Sequence, residues 1–196
     1  MNFGIKFIIK TSTLYGILAA VFSLIGLSLV DLPLSLTIVG SPLEVSGISV
    51  EHVVGHIVWG LMIGIVTFKI KYFLIAGFFP LILDSDHLIQ FLGIEVVPRM
   101  AHSILFALIA VFIMMLIFGK KDYLLGGISF AAVLSHISFD ILIGGGSTFP
   151  LFTPFIIGVT TFQGFDWVFI QIIAVILVGI IVIISQRKKM KEEFRI

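Results

Sequence analysis

Cysteine is absent from the chain, which excludes disulfides, thiolate metal sites and cysteine nucleophiles and leaves the redox compartment open. Charge is scarce too: 12% of residues are Asp, Glu, Lys or Arg against 59% hydrophobic, with a mean hydropathy of +1.24. A soluble domain of 196 residues could not hide that much apolar surface, because its outer shell must carry charge. The chain therefore reads as a polytopic membrane protein. No hydrophilic stretch is long enough for a second globular unit, so 1–196 is expected to form one integral membrane domain. A formal net charge of +1 gives no reason to invoke nucleic acid. Internal repeats, heptads and low-complexity segments are missing, as are the His-Glu-x-x-His of zinc proteases and the Gly-x-Ser-x-Gly of serine hydrolases. Gly144-Gly145-Gly146 lacks the Lys and Ser/Thr of a phosphate-binding loop and reads as a hinge or a close backbone approach. Lys6 and Lys10 precede an apolar run from about Leu14 to Val30 with no small-x-small cleavage site before Asp31, so a retained span is expected there rather than a signal peptide.

What is present is a series of apolar runs. Crossing a ~30 Å hydrocarbon core takes about 20 helical residues at 1.5 Å rise. Six stretches qualify, 11–30, 52–68, 72–93, 100–118, 123–143 and 166–186, which predicts an all-α bundle of about six spans. The connectors at Lys69/Lys71 and at Lys120/Lys121/Asp122 are short and basic, and the tail carries Arg187, Lys188, Lys189, Lys191 and Arg195. Six crossings place 11 of the 12 Lys and Arg on one side with Arg99 alone opposite. The positive-inside rule then sets both termini in the cytoplasm of a cell (inner or plasma) membrane. The opposite connectors, 31–50 and 144–165, are apolar yet broken by Pro33, Pro42, Pro150 and Pro154, so they are expected to lie at the interface or fold back over the bundle.

Into the third run fall Asp84, Asp86 and His87. A charge near a bilayer centre costs a few kcal/mol on insertion scales and persists where something offsets it. The five histidines, His52, His56, His87, His102 and His136, all lie within or at the outer ends of runs. Counted from the nearest basic or acidic connector at 1.5 Å per residue, Asp84, His56 and His136 rise about 20 Å, and His52, His87, His102 and Asp140 about 24–27 Å. Four separate runs thus bring ligand-type side chains to one layer. The spacings agree: His52/His56 and His136/Asp140 are four apart and Asp84/His87 three apart, so each pair shares a helix face.

Arg99 is the only basic residue on that side and cannot balance three intramembrane carboxylates, so a divalent metal or bound protons are expected to make up the difference. The expected ligands are His52, His56, Asp84, Asp86, His87, His102, His136 and Asp140. Eight ligands exceed the three of a mononuclear catalytic zinc and suit two or three ions. Nitrogen and oxygen donors without sulfur fit zinc, the first expectation, as well as manganese or iron.

At these residues the sequence resembles the membrane-bound metal-dependent hydrolases, including the LexA-regulated inner-membrane proteins. The resemblance is carried by His52 and His56, Pro80 with Asp84-x-Asp86-His87, His102-Ser103-Ile104-Leu105-Phe106, Ser135-His136-x-x-x-Asp140 and Pro150-x-x-x-Pro154-Phe155. It covers about 50–156. Pro98 and Ala101 stand where that family has polar residues. The resemblance implies a distant similarity to zinc-dependent phospholipase C-type enzymes and hydrolysis of a phosphoester.

The function expected is metal-dependent hydrolysis of a lipid or lipid-like phosphoester near the outer leaflet by metal-activated water. Asp86 is expected to bridge metals or act as base and Arg99 to hold the substrate's anionic oxygen; Ser103 is expected either to orient the substrate or to serve as a helix-packing serine. The substrate is expected to arrive past the apolar 144–165 segment. The alternative is an ion or proton conductor using the same carboxylates and histidines as a relay. A haem-binding electron carrier is the third possibility, disfavoured by carboxylates crowding the histidine layer.

Overall fold

The computed structural model describes residues 3–28, 37–39, 49–94 and 96–193. Among them six helices follow in order: α1 (Phe3–Ile25), α2 (Val50–Gly64), α3 (Ile70–Leu83), α4 (Ile104–Phe118), α5 (Tyr123–Gly144) and α6 (Asp166–Glu193). Five helical stretches, Gly4–Ile25, Val50–Thr67, Ile70–Leu92, Tyr123–Gly144 and Asp166–Lys188, are long and apolar enough to cross a membrane, while Ile104–Phe118 is apolar but shorter. The protein is an all-α polytopic membrane bundle. The expected span 100–118 is cut back because Met100–His102 form a 3₁₀ turn and Ser103 is extended, at φ −111° and ψ 155°, before α4 begins.

The bundle is built around α5, which buries 78% of its span against 22% for the peripheral α6. Gly126, Gly127, Ser129, Ala131, Ala132, Ser135 and Ser138 keep α5 thin, so that α2, α3, α4 and α6 can all pack on it. Small residues serve this purpose in lipid, where close packing rather than escape from water holds helices together. The α2–α3 pair uses the same device. A Cβ on Gly60 would run into the Ala76 carbonyl, and one on Gly64 would stand 2.8 Å from the Ala76 Cβ. On the other side α1 packs along α3 and α4, with Tyr15 stacked on Phe79 at 4.2 Å and its hydroxyl donating to the Ser129 carbonyl at 3.0 Å.

The run 72–93 is not one α-helix. The α geometry, which contains Pro80, stops at Leu83, and Asp84–Leu92 continue as a 3₁₀ segment. The Asp84 N–H bonds to the Leu81 and Ile82 carbonyls. In a continuing α-helix it would have taken the Pro80 carbonyl, four residues back. That carbonyl is left for a side chain.

Two short antiparallel ribbons were not expected. β1 (Thr37–Val39) pairs with β2 (Val96–Pro98), Ile38 opposite Val97, and β3 (Gly146–Phe149) pairs with β4 (Thr160–Gln163), Ser147 opposite Phe162. The 144–165 segment does fold back over the bundle: Phe149 and Thr153 are buried, and the Leu151 carbonyl accepts from the Ile104 N–H at 2.9 Å. Gly145 at φ +65° ends α5, and Gly146 at φ +144° passes so close to β4 that a Cβ would stand 3.0 Å from the Phe162 carbonyl oxygen. Both conformations favour glycine. Residues 29–36 and 40–48, with the end of the first expected span, Pro33 and Pro42, lie outside the described residues, as does Arg195.

Candidate metal centre

Four segments converge at one level of the bundle, and local sequence sets each. Ser49 caps α2, its hydroxyl accepting the His52 N–H at 3.1 Å, so His52 and His56 sit one turn apart at the helix start and both are buried. In the 3₁₀ segment, with three residues per turn, Asp84 and His87 stack over each other; their Oδ1 and Nε2 are 3.4 Å apart. His102 closes the 3₁₀ turn before α4, and α5 presents His136 and Asp140 one turn apart.

Asp84 is the hub. Its Oδ2 lies 3.2 Å from His52 Nε2 and 3.5 Å from His56 Nε2. Its Oδ1 faces His87 and His136 Nε2, each at 3.4 Å, and His102 Nε2 at 3.9 Å. Asp140 is a second bridge, with Oδ1 at 3.3 Å from His56 Nε2 and 3.7 Å from His52 Nε2, and Oδ2 at 3.3 Å from His136 Nε2. Imidazole nitrogens also face one another, His52 and His56 Nε2 at 2.7 Å and His102 and His136 Nε2 at 2.9 Å. Asp86, fully buried, stands at the edge, 3.9 Å from His87 Nε2 and from His102 Nδ1.

The donor set fits divalent cations. Ligands 2.0–2.2 Å from a tetrahedral zinc are about 3.3–3.6 Å apart, the spacing that five of these ten nitrogen–oxygen pairs show. His136 gives the clearest test. Its Nδ1 lies 2.8 Å from the Pro80 carbonyl oxygen, to which it donates, so Nε2 is the ring atom turned toward Asp84 and Asp140. Nε2 and the two carboxylates together make a site for positive charge, which a cation coordinated among the three or a proton on the ring would fill. Asp86 Oδ1 and Asp140 Oδ1 are buried without a hydrogen-bond partner, as are Nδ1 of His52, His56, His87 and His102. Four overlapping trios lie within ligand range of one another: His52/His56/Asp140, His56/Asp84/His136, His102/His136/Asp140 and Asp84/Asp86/His87. Together they contain all eight side chains expected from the sequence.

Arg99 borders this cluster. Its Nη2 donates to Asp140 Oδ2 at 3.1 Å, its guanidinium carbon lies 5.0 Å from the centre of the Phe149 ring, and the side chain is 22% exposed. Ser103 is not among the groups brought together. Its hydroxyl donates to the Met100 carbonyl at 2.8 Å and accepts the Phe106 N–H at 3.1 Å, so the expected substrate contact is the N-cap of α4. Three contributors escaped the sequence reading. Ser23 of α1 donates to Asp86 Oδ2 at 3.0 Å while accepting the Ala101 N–H at 3.3 Å, tying α1 to the cluster. The Pro80 carbonyl orients His136, and Phe149 stacks on His102 with centroids 5.9 Å apart. A serine in an apolar helix carries no local signal of such a role; a proline four residues before a carboxylate hints at a freed carbonyl.

Fold and cluster together define a polytopic membrane protein with a buried histidine–aspartate centre. The model of the YdjM inner membrane protein family matches residues 49–195, and the chain belongs to that family. It is a protein of the inner membrane. No curated protein and no solved structure matches the chain. The family agrees with the LexA-regulated membrane proteins of the resemblance, but the extension to metal-dependent hydrolases and phospholipase C-type enzymes is corrected, because the matching family is described as an inner membrane protein and nothing more. Pro80, Asp84-x-Asp86-His87 and His136-x-x-x-Asp140 encode a helix break and a layer of ligand-type side chains. Such features specify a site and not a reaction.

Proposed function

We propose that the cluster holds two or three divalent cations, zinc first among them, and that the protein hydrolyses a lipid or lipid-like phosphoester. The observation that carries this is the position of His136 Nε2, fixed by the Pro80 carbonyl and facing two carboxylates that no basic side chain fully balances. His52, His56, Asp84, His87, His102, His136 and Asp140 would hold the ions. Cations there supply Lewis acidity, lowering the pKa of water and drawing charge from a phosphoryl oxygen. The side chains do the rest. Arg99, paired to Asp140 through Nη2 alone among the described contacts and partly exposed, keeps donors for a phosphoryl oxygen. Asp86 is held at Oδ2 by Ser23 and leaves Oδ1 unpartnered, which supports a role for it in accepting a proton from the attacking water. As the new oxygen–phosphorus bond forms, the bond to the alcohol oxygen breaks, and the proton passes on to the departing alkoxide.

The charge bias that leaves Arg99 alone opposite 11 other basic residues favours a site facing the extracytoplasmic side. A conducting relay finds less support. The spans carry no carboxylate or imidazole between the cluster and the Lys71/Asp122 end, and a pathway needs both halves. The test is hydrolysis of phosphatidic acid and phosphatidylglycerol by purified protein with and without chelator. Turnover that stops with chelator, returns with added zinc or manganese, and is lost in Asp84→Ala and His136→Ala is expected. Undiminished turnover in either variant would defeat the proposal.

A further inference from the structure

A groove of about 830 Å³ runs between α1 and the α3–3₁₀ run, within the volume range of small-molecule sites. Its walls are apolar along most of their length, Ile8 and Ile17 on one side, Phe78 and Leu88 on the other. The floor is kept low by Ser12, Gly16 and Ala20, each one helical turn from the next. At Gly16 the two helices touch: a Cβ there would stand 2.6 Å from Ile82 Cγ2, and Ser85 Oγ donates to the Gly16 carbonyl at 2.7 Å. Among the lining residues the ionisable ones are Asp84 and His87, both members of the cluster. An ordinary lipid-facing surface has no such end. The exposed stripe of α6 with Phe169, Ile173, Ile176 and Ile180 is apolar throughout.

From this geometry we infer that the groove seats one acyl chain of a phosphate-headed membrane lipid, which reaches the cluster sideways from the bilayer between α1 and α3. The inference rests on the hydrolase proposal for the fate of the head group, and on the groove itself for the chain. From Ile8 to Ala20 the α1 wall rises about 18 Å, long enough for one leaflet's tail in a ~30 Å core, and it descends from the cluster toward the Lys6/Lys10 end of α1. The opposite approach, past 144–165, is closed by Phe149, which is fully buried against His102 and under Arg99. A tail in the groove leaves its head at Asp84 and His87, where cations would meet the phosphate. A lipid is thereby preferred to a soluble phosphoester, since the groove faces hydrocarbon rather than water.

The test uses the full chain in phosphatidylcholine nanodiscs doped with phosphatidic acid whose palmitoyl chain carries a diazirine. After illumination, peptide mapping should place labels on Ile9, Thr13, Ile17 and Leu88 at ten times or more the level on Ile173 and Ile176. Thr13 is exposed on the groove wall, so Thr13→Phe is expected to fold, keep its metal content and thermal midpoint, and lose groove labelling at least tenfold. It should raise KM for dipalmitoyl substrate tenfold while leaving a dihexanoyl analogue unaffected; Ile17→Trp is the second variant. Equal labelling of α6 and the groove, or an unchanged KM for the long-chain substrate in both variants, overturns the groove assignment and leaves the hydrolase proposal standing. Groove labelling without metal or turnover supports the groove as a lipid site and sinks the hydrolase proposal alone.

Discussion

Replacing Asp84 by Asn removes one negative charge from a side chain that faces four imidazoles while preserving its shape, and the sign of its effect depends on whether cations are present. Asp84 lies within 3.5 Å of ring nitrogens from His52, His56, His87 and His136, on three different segments. If ions bind here at a free concentration about a thousand times their Kd, the folded state gains about 4 kcal/mol. For a chain of this size each kcal/mol moves Tm by about 2–4 °C, so chelation should lower the wild-type midpoint by about 8–16 °C. Loss of this carboxylate should weaken affinity at least as much as loss of a supporting hydrogen bond, about 100-fold. That leaves about 1.4 kcal/mol of metal stabilisation, or a chelator shift of about 3–6 °C. In chelator the order should reverse or close, because Asn carries no buried charge for which Arg99 has no free pairing. Differential scanning of purified wild type and variant, each with zinc and with chelator, reads all four midpoints. The reasoning is refuted if chelator leaves the wild-type midpoint unmoved, or if the variant shifts by as much as wild type.

Other expectations follow from the same contacts. Ser103→Ala should lower stability by about 0.5–2 kcal/mol through loss of the α4 cap, with metal content unchanged by elemental analysis; loss of turnover at full stability would return Ser103 to the substrate. Ser23→Ala leaves Asp86 Oδ2 without its donor, at a cost of about 1–3 kcal/mol in thermal or denaturant unfolding, and an unchanged midpoint would show that α1 does not brace the cluster. Arg99→Lys keeps the charge but loses the planar fork; kcat/KM for a phosphoester should fall about 10²–10³-fold with metal stoichiometry intact, and loss of metal instead would make Arg99 a structural support.

The helices were legible because lipid imposes one requirement on every crossing segment, a long apolar run, and the chain has little else. The layer of His52, His56, Asp84, His87, His102, His136 and Asp140 was legible because spacings of three and four residues at a common distance from charged connectors survive the details of packing. Those details were not legible. The switch to 3₁₀ at Asp84 goes with its N–H taking the Leu81 and Ile82 carbonyls, while the Pro80 carbonyl it passes over bonds His136 of α5, more than fifty residues away. Ser23 reads as one polar residue in an apolar helix until α1 meets Asp86. Ser103 looked like part of a motif with His102, whereas the extended backbone at 103 makes it a cap. The ribbons β1–β2 and β3–β4 are three or four residues per strand, too short for alternation to show against an apolar background.

Elemental analysis of the purified full chain, reported as ions per polypeptide, bears most directly on the cluster. The account predicts at least two transition-metal ions per chain, mostly zinc, falling sharply in Asp84→Asn and His136→Ala. A chain free of metal after purification without chelator, and still free of it after equilibration with zinc or manganese, contradicts it.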